Sequence, residues 1–370
     1  MFLTRIAFLI YSLSLTFFAT DFLSPRFRIL LGFLLVRLYF SVLKIDGLNK
    51  EPKFVDRKKT GFFVAKILIA VMTIVVLIRE ISVERLLAAL SASDKTWLSA
   101  GLLLLTLNLY LQFVKWVLLV SQENPAVSRR QILYSLFVGS ALGLITPGRL
   151  GDLARSAFIR NADWARLTGL LMIDKLISLV VLYFFGILGF AHFISMAMQP
   201  LVWLPILLAA VMIVALLLVL IFNTAFLRSL LQQWRQRLHH LRFIDRLVGG
   251  IELATPLLCV KLLAYSTLHL LTYCTQFVLF ILAFERINWF DALVSAVSVM
   301  FAKALLPVSL GDLGVRESAS VYFLGQVGVS AAAAFDASFL LFCVNVLAPA
   351  LAGLVLFLVK RRLNGRSDVA

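Results

Sequence analysis

The chain has 370 residues, 62% of them hydrophobic, with a mean hydropathy of +0.98 and a formal net charge of +16. This composition excludes a soluble globular domain: several apolar runs are long enough to span a bilayer, so the chain reads as an integral membrane protein. In that setting the basic excess points to anionic lipid headgroups on the cytoplasmic side, and no nucleic-acid-binding motif accompanies it.

Residues 1–60 carry one or two hydrophobic segments and a linker. Residues 2–19 are long enough to span or to act as a signal-like segment, without an evident small-residue cleavage site. Residues 27–43 are short and hold Arg37 well inside, which fits an interfacial helix or shallow hairpin better than a span. The basic linker 44–59 belongs in the cytoplasm by the positive-inside rule. Clear spans follow at 62–78 and 97–120, the second ending in Lys115-Trp116, which reads as an interfacial anchor. Residues 132–145 enter the membrane and break at Thr146-Pro147-Gly148, and Arg149, Arg155, Arg160 and Arg166 come after the break. Arginine flanks the segment on both sides, so it reads as a re-entrant hairpin from the cytoplasm. Spans at 167–192, 201–222 and 256–283 come next, the last two separated by a loop rich in arginine. Residues 289–306 enter from outside and break at Pro307, while 340–359 ends at Lys360-Arg361-Arg362 and must run outside to inside. Parity makes 289–338 a second re-entrant hairpin of opposite sense. The expected fold class is an all-α polytopic membrane protein of about six full spans plus two opposed re-entrant hairpins, an inverted repeat. The expected domains are an N-terminal region 1–60, a transmembrane domain 61–360 and a cytoplasmic tail 361–370.

The two breaks share Pro-x-x-Leu-Gly-Asp-Leu followed by arginine. In the first, Pro147 ends the incoming half-helix. Gly148 and Gly151 let backbone approach a ligand closely, and Asp152 suits the N-cap of a second half-helix. The amides of that N-terminus favour phosphate or carboxylate, and Arg149 and Arg155 add full charges and a bidentate fork. The second break offers Pro307, Gly311, Asp312, Gly314, Arg316 and Glu317, with Lys303 one turn earlier. The competing reading makes these residues turns and caps, with Asp152–Arg155 and Asp312–Arg316 as local salt bridges. Asp174 and Lys175 lie inside a span and project about 100° apart, so each suits a different partner, one of them a motif charge; the bland alternative is snorkelling. Lys261, Tyr265, His269, Thr272 and Gln276 form a polar stripe on one helix, read as a cavity lining or as interhelical hydrogen bonding. His269 lacks a second ligand at metal spacing. Cys259, Cys274 and Cys343 read as buried small hydrophobes, not a disulfide or metal set. No hydrolase, zincin or Walker motif occurs, so no catalytic residue, metal, cofactor or enzymatic activity is expected.

On Pro147–Asp152 with Arg155, on Ile173-Asp174-Lys175-Leu176, and on the run from Leu306 to Glu317, residues 61–360 resemble the flippase-like transmembrane region of lysylphosphatidylglycerol synthases. That family more often has glycine where Asp312 stands. The resemblance implies lipid translocation or handling of lipid-linked intermediates, with membrane lipids as partners. Related stand-alone proteins often accompany glycosyltransferase systems, so it also implies a glycosyltransferase or lipid-modifying enzyme as a candidate partner. The aminoacyl-transferase domain of the full synthases has no counterpart here, and the enzyme half is expected to be missing. The expected function is a translocase in the inner (plasma) membrane, its C-terminus cytoplasmic, moving an anionic, aminoacylated or polyprenyl-phosphate-linked lipid between leaflets. Without an ATPase motif the motion is facilitated or ion-coupled. The alternative is a non-transporting subunit that scaffolds a glycosyltransferase or lipid-modifying enzyme; an enzyme acting inside the membrane is a third reading.

Overall fold

Capping residues and apolar length together set the helices. In a computed structural model of the chain, residues 89–144, 146, 149–197, 242–305 and 314–367 are described, with short helical pieces between 204 and 215. Helix α1 (Lys95–Glu123) starts where Asp94 accepts a hydrogen bond from the Thr96 amide at 2.8 Å. Helix α2 (Arg129–Leu144) is followed by a 3-10 segment (Leu150–Phe158), α3 (Trp164–Ala197) and the short α4 (Arg242–Glu252). Helix α5 (Pro256–Phe284) has Thr255 as its cap and proline in its first turn, where a missing amide costs nothing. Then come α6 (Trp289–Leu305), α7 (Val315–Gly325), α8 (Ala331–Phe342), a π-helical turn (Cys343–Leu347) and α9 (Ala348–Ser367). Among the described residues all regular structure is helical. Four of the described stretches are long and apolar enough to cross a bilayer: Lys95–Glu123, Trp164–Ser195, Pro256–Phe284 and the continuous run Ala331–Lys360. The expected span at 62–78 lies outside the described residues, and of 201–222 only those short pieces are described.

One boundary departs from the sequence reading. The last long helix starts at Ala331, not near 340, because Ser330 caps it and four successive alanines favour helix. Glu285 fixes that cap, its Oε2 accepting from the Ser330 amide at 3.0 Å and from its hydroxyl at 2.6 Å.

Small residues let the helices approach closely, as expected where lipid on the outside removes most of the hydrophobic drive for helices to associate. Helices α1 and α5 run antiparallel: the Asp94 amide donates to the Ala283 carbonyl at 2.8 Å, and Gln276 Nε2 to the Gly101 carbonyl at 3.0 Å. Helices α3 and α6 meet at Gly186 against the ring of Phe301 and at Gly189 against Ser298. Gly353 of α9 lies on the carbonyl of Phe137 in α2. The outward faces are apolar, with Leu102, Leu103, Leu107 and Tyr110 of α1 exposed, as are Leu351, Val355 and Val359 of α9. A buried amide triad ties three helical runs together. Asn108 Nδ2 donates to Asn345 Oδ1 at 2.5 Å, and Asn345 Nδ2 donates to Gln276 Oε1 at 2.9 Å and to the Leu341 carbonyl at 3.2 Å. Cys259 and Cys274 are free and buried; Cys343 is free but only half-buried, short of the full burial expected from its apolar surroundings.

Contacts between helix ends define two poles. At the first, Trp97 packs edge-on against Trp289 at 5.8 Å between centroids, and Glu285 holds Ser330. At the second, Asn124 Nδ2 donates to the Asn161 carbonyl at 2.7 Å, Trp164 stacks on Phe243 at 5.1 Å, and Phe158 meets Phe357 at 6.2 Å. Helix α2 and the 3-10 segment begin and end at the second pole. Helices α6 and α7 begin and end at the first.

Candidate functional site

The first sequence break is a tight hairpin made possible by glycine. The 3-10 segment folds back along α2, so that a Cβ on Gly139 would meet the Arg155 Cβ at 2.7 Å, one on Gly143 the Asp152 Oδ1 at 2.1 Å, and one on Gly151 the Leu142 carbonyl oxygen at 2.1 Å. Thr146 closes the turn: its Oγ1 accepts from the Gly151 amide at 2.6 Å and lies 3.2 Å from the Leu142 and Gly143 carbonyls. Arg149 takes a left-handed conformation, φ 56°, which costs a non-glycine residue about 1–2 kcal/mol. Pro147 and Gly148 lie outside the described residues.

Asp152 does not serve as the expected cap. Arg149 occupies the cap position, its side chain making no capping hydrogen bond, and Asp152 falls inside the first turn of the 3-10 segment. Its Oδ2 instead lies 3.2 Å from Lys175 Nζ and 3.5 Å from Arg149 Nε. Ion pairs with two cations hold a buried carboxylate better than a single neutral amide does. Its Oδ1 has no hydrogen-bond partner among the described residues.

Lys115 and Trp116 correct the sequence reading more sharply. They are buried, 6% and 0% exposed, not an interfacial anchor. Helix α1 continues to Glu123, which leaves the pair inside the bundle, where α3 supplies a counter-ion. Lys115 Nζ lies 2.8 Å from Asp174 Oδ1 and donates to Ser178 Oγ at 2.9 Å, and Ser178 in turn lies 3.2 Å from the Ser266 hydroxyl. Asp174 and Lys175 thus serve different partners, Lys115 and Asp152 respectively. Arg155 is buried with its guanidinium 4.5 Å above the Trp116 ring, and Trp116 Nε1 donates to Ser135 Oγ at 2.8 Å. Arg155 Nε has no hydrogen-bond partner among the described residues.

The polar stripe of α5 takes the interhelical hydrogen-bonding role at one position. Gln276 belongs to the amide triad, and Thr272 Oγ1 bonds back to the Leu268 carbonyl at 2.8 Å. His269 lies within electrostatic reach of Lys115, Asp174, Lys175 and Arg149. Lys261 is exposed and Tyr265 half-buried.

The second break is built differently. Pro307, Gly311 and Asp312 lie outside the described residues, and Lys303 is half-buried near the end of α6. Gly314, at φ 88°, sits in the cap position of α7, its amide donating to Glu317 Oε2 at 2.7 Å. Arg316 is fully buried: Nη2 lies 2.5 Å from Glu317 Oε1, Nε donates to Ser338 Oγ at 3.1 Å, and the guanidinium faces the Phe342 ring at 5.5 Å. A single glutamate therefore both caps the helix and neutralises the arginine, between α7 and α8. The first hairpin differs: among the described residues Lys115, Arg149, Arg155 and Lys175 gather with Asp152 and Asp174, four cations with two carboxylates. Such a cluster can hold an anion; among the described residues no group of three His, Cys, Asp or Glu is placed to hold a metal.

The family model for the lysylphosphatidylglycerol synthase TM region matches residues 63–353. No curated protein and no solved structure matches the chain. With that match spanning most of its length and four membrane-length apolar helices, the chain belongs to the lysylphosphatidylglycerol synthase transmembrane-region family and is an all-helical, multi-pass membrane protein.

Proposed function

We propose that this protein is a lipid translocase that binds the phosphate of an anionic, aminoacylated or polyprenyl-phosphate-linked lipid at the first hairpin and passes the lipid between leaflets. The observation that carries the reading is the gathering of cations at that hairpin, where Nε of the buried Arg155 has no hydrogen-bond partner among the described residues. Lys175 makes the site reachable from the side. It is 47% exposed and lies on the same outer face of α3 as the exposed Met172, Leu176 and Leu179. Acyl chains can stay against that apolar face while the phosphate reaches Lys175, Arg149 and Arg155, so no charge needs to cross hydrocarbon unpaired. The grouped side chains are mostly charged and suit an anion, which supports the transporter reading.

The two hairpins open at opposite poles, which supports reading them as re-entrant elements of an inverted repeat with about six spans. Lys360-Arg361-Arg362, following the second pole, supports reading that pole and the C-terminus as cytoplasmic, in an inner membrane. Reconstitution tests the proposal. Vesicles carrying the purified full chain should exchange headgroup-labelled phosphatidylglycerol across leaflets faster than labelled phosphatidylcholine, as read by quenching of the outer leaflet. A charge-assisted hydrogen bond to a buried anion is worth about 1.5–3 kcal/mol, so Arg155→Ala should weaken lipid binding on the order of tenfold to a hundredfold, with Arg155→Lys between. Exchange no faster than in protein-free vesicles overturns the proposal and favours a scaffold for a glycosyltransferase or lipid-modifying enzyme.

A further inference from the structure

The two carboxylates of the cluster are held in different ways. Asp174 is locked: its pair with Lys115 is 2.8 Å long, both side chains are more than nine-tenths buried, and the lysine has a second anchor in Ser178. Asp152 is held loosely. Its pairs with Lys175 and Arg149 measure 3.2 and 3.5 Å, against about 2.7–2.9 Å for a good charge-assisted bond. One of those cations is 47% exposed, and both pairs fall on Asp152 Oδ2.

From this contrast, and resting on the headgroup reading above, we propose that Asp152 is the exchangeable counter-ion of the site: it occupies the place of the lipid phosphate when the site is empty and gives it up when a phosphate ester arrives. A phosphate diester makes the same demand as a carboxylate, two anionic oxygens seeking N–H donors, and it meets the same donors, Lys175 and Arg149, from the open side of α3. It then gains what Asp152 does not use, the unpartnered Nε of Arg155. The exchange leaves Lys175 and Arg149 facing an anion in both states. Binding is weakened because a resident anion must be displaced, and release is speeded because that anion returns. Asp174 takes no part; it positions Lys115.

The experiment titrates the purified full-length protein with short-chain phosphatidylglycerol, short-chain phosphatidylcholine and glycerol phosphate, in wild type, Asp152→Asn and Arg155→Ala. Melting temperatures are recorded on the same samples. Removing the competing charge while keeping the side-chain shape should tighten phosphatidylglycerol binding several-fold, up to about tenfold, and slow leaflet exchange in vesicles. Arg155→Ala should change affinity in the opposite direction. If Asp152→Asn proves poorly folded, Asp152→Ser carries the same prediction. Unchanged or weaker binding in a well-folded neutral variant overturns the counter-ion role while leaving the headgroup site standing. A wild-type protein that binds no phosphatidylglycerol overturns both. Equal affinity for glycerol phosphate supports the counter-ion role for soluble phosphate esters and overturns its assignment to a lipid.

Discussion

Replacing Arg316 with methionine should destabilise the fold, not merely weaken a ligand. The guanidinium is fully buried and bonded to Glu317 and Ser338, and Glu317 is itself 4% exposed. Methionine fills much of the space of the arginine stem but leaves the Glu317 carboxylate, among the described residues, with the Gly314 amide and, at 3.4 Å, the Ser338 hydroxyl. Removing one partner of a buried ion pair costs about 3–5 kcal/mol, chiefly through the charge left behind. The double variant Arg316→Met with Glu317→Gln removes that charge while keeping an oxygen to cap Gly314, so it should recover at least half of the loss. Unfolding of the purified protein in mixed micelles, followed by tryptophan fluorescence and combined with a phosphatidylglycerol titration, separates stability from affinity. An Arg316→Met protein that unfolds like wild type but no longer binds lipid would refute this reasoning and make the second break a headgroup site in its own right.

The hairpin makes its own prediction. Alanine at Gly151 puts a methyl group 2.1 Å from the Leu142 carbonyl oxygen, so the two arms must part by about 1 Å, and overpacking of that kind costs about 1–3 kcal/mol. Gly325→Ala meets nothing within 4 Å and should melt within error of wild type; equal melting of the two variants would show that the arms are not in backbone contact. For topology, single cysteines at Ser330 and Arg160 on a cysteine-free background should react with a membrane-impermeant maleimide from opposite sides, Ser330→Cys from outside. Labelling of both from the cytoplasm would remove the inverted-repeat reading.

The helices were legible because apolar length and punctuation agree: Thr255-Pro256 opens α5, and Pro147 and Pro307 lie in the two breaks. The separate partners of Asp174 and Lys175 followed from helical geometry, since neighbours project apart. Lys115 and Trp116 were misread because a Lys-Trp pair in the later part of a span has the same composition whether it faces headgroups or an aspartate on another helix. What distinguishes the cases is the length of helix beyond the pair, and α1 reaches Glu123. The 3-10 course of the first return arm and the early start of α8 were also hidden. The first depends on Gly139, Gly143 and Gly151 bringing two backbones together, and the second on Glu285 gripping Ser330, both tertiary effects. The pairing of Arg316 with the adjacent Glu317 could have been suspected from their adjacency, but its complete enclosure depends on α8.

The π turn at Cys343–Leu347 has a consequence for how this sequence can vary. A π turn is in effect one residue inserted into an α-helix, and one residue rotates everything downstream by about 100°. Upstream, α8 keeps its face against α5 and α7; downstream, α9 turns Gly353 and Phe357 toward α2 and the 3-10 segment. The insertion is the phase offset that lets a single membrane-length rod serve two neighbours lying in different directions. Length, more than residue identity, is therefore the conserved quantity to expect there. A one-residue deletion between 343 and 347 would leave every side chain of α9 chemically intact and aim all of them at the wrong partner.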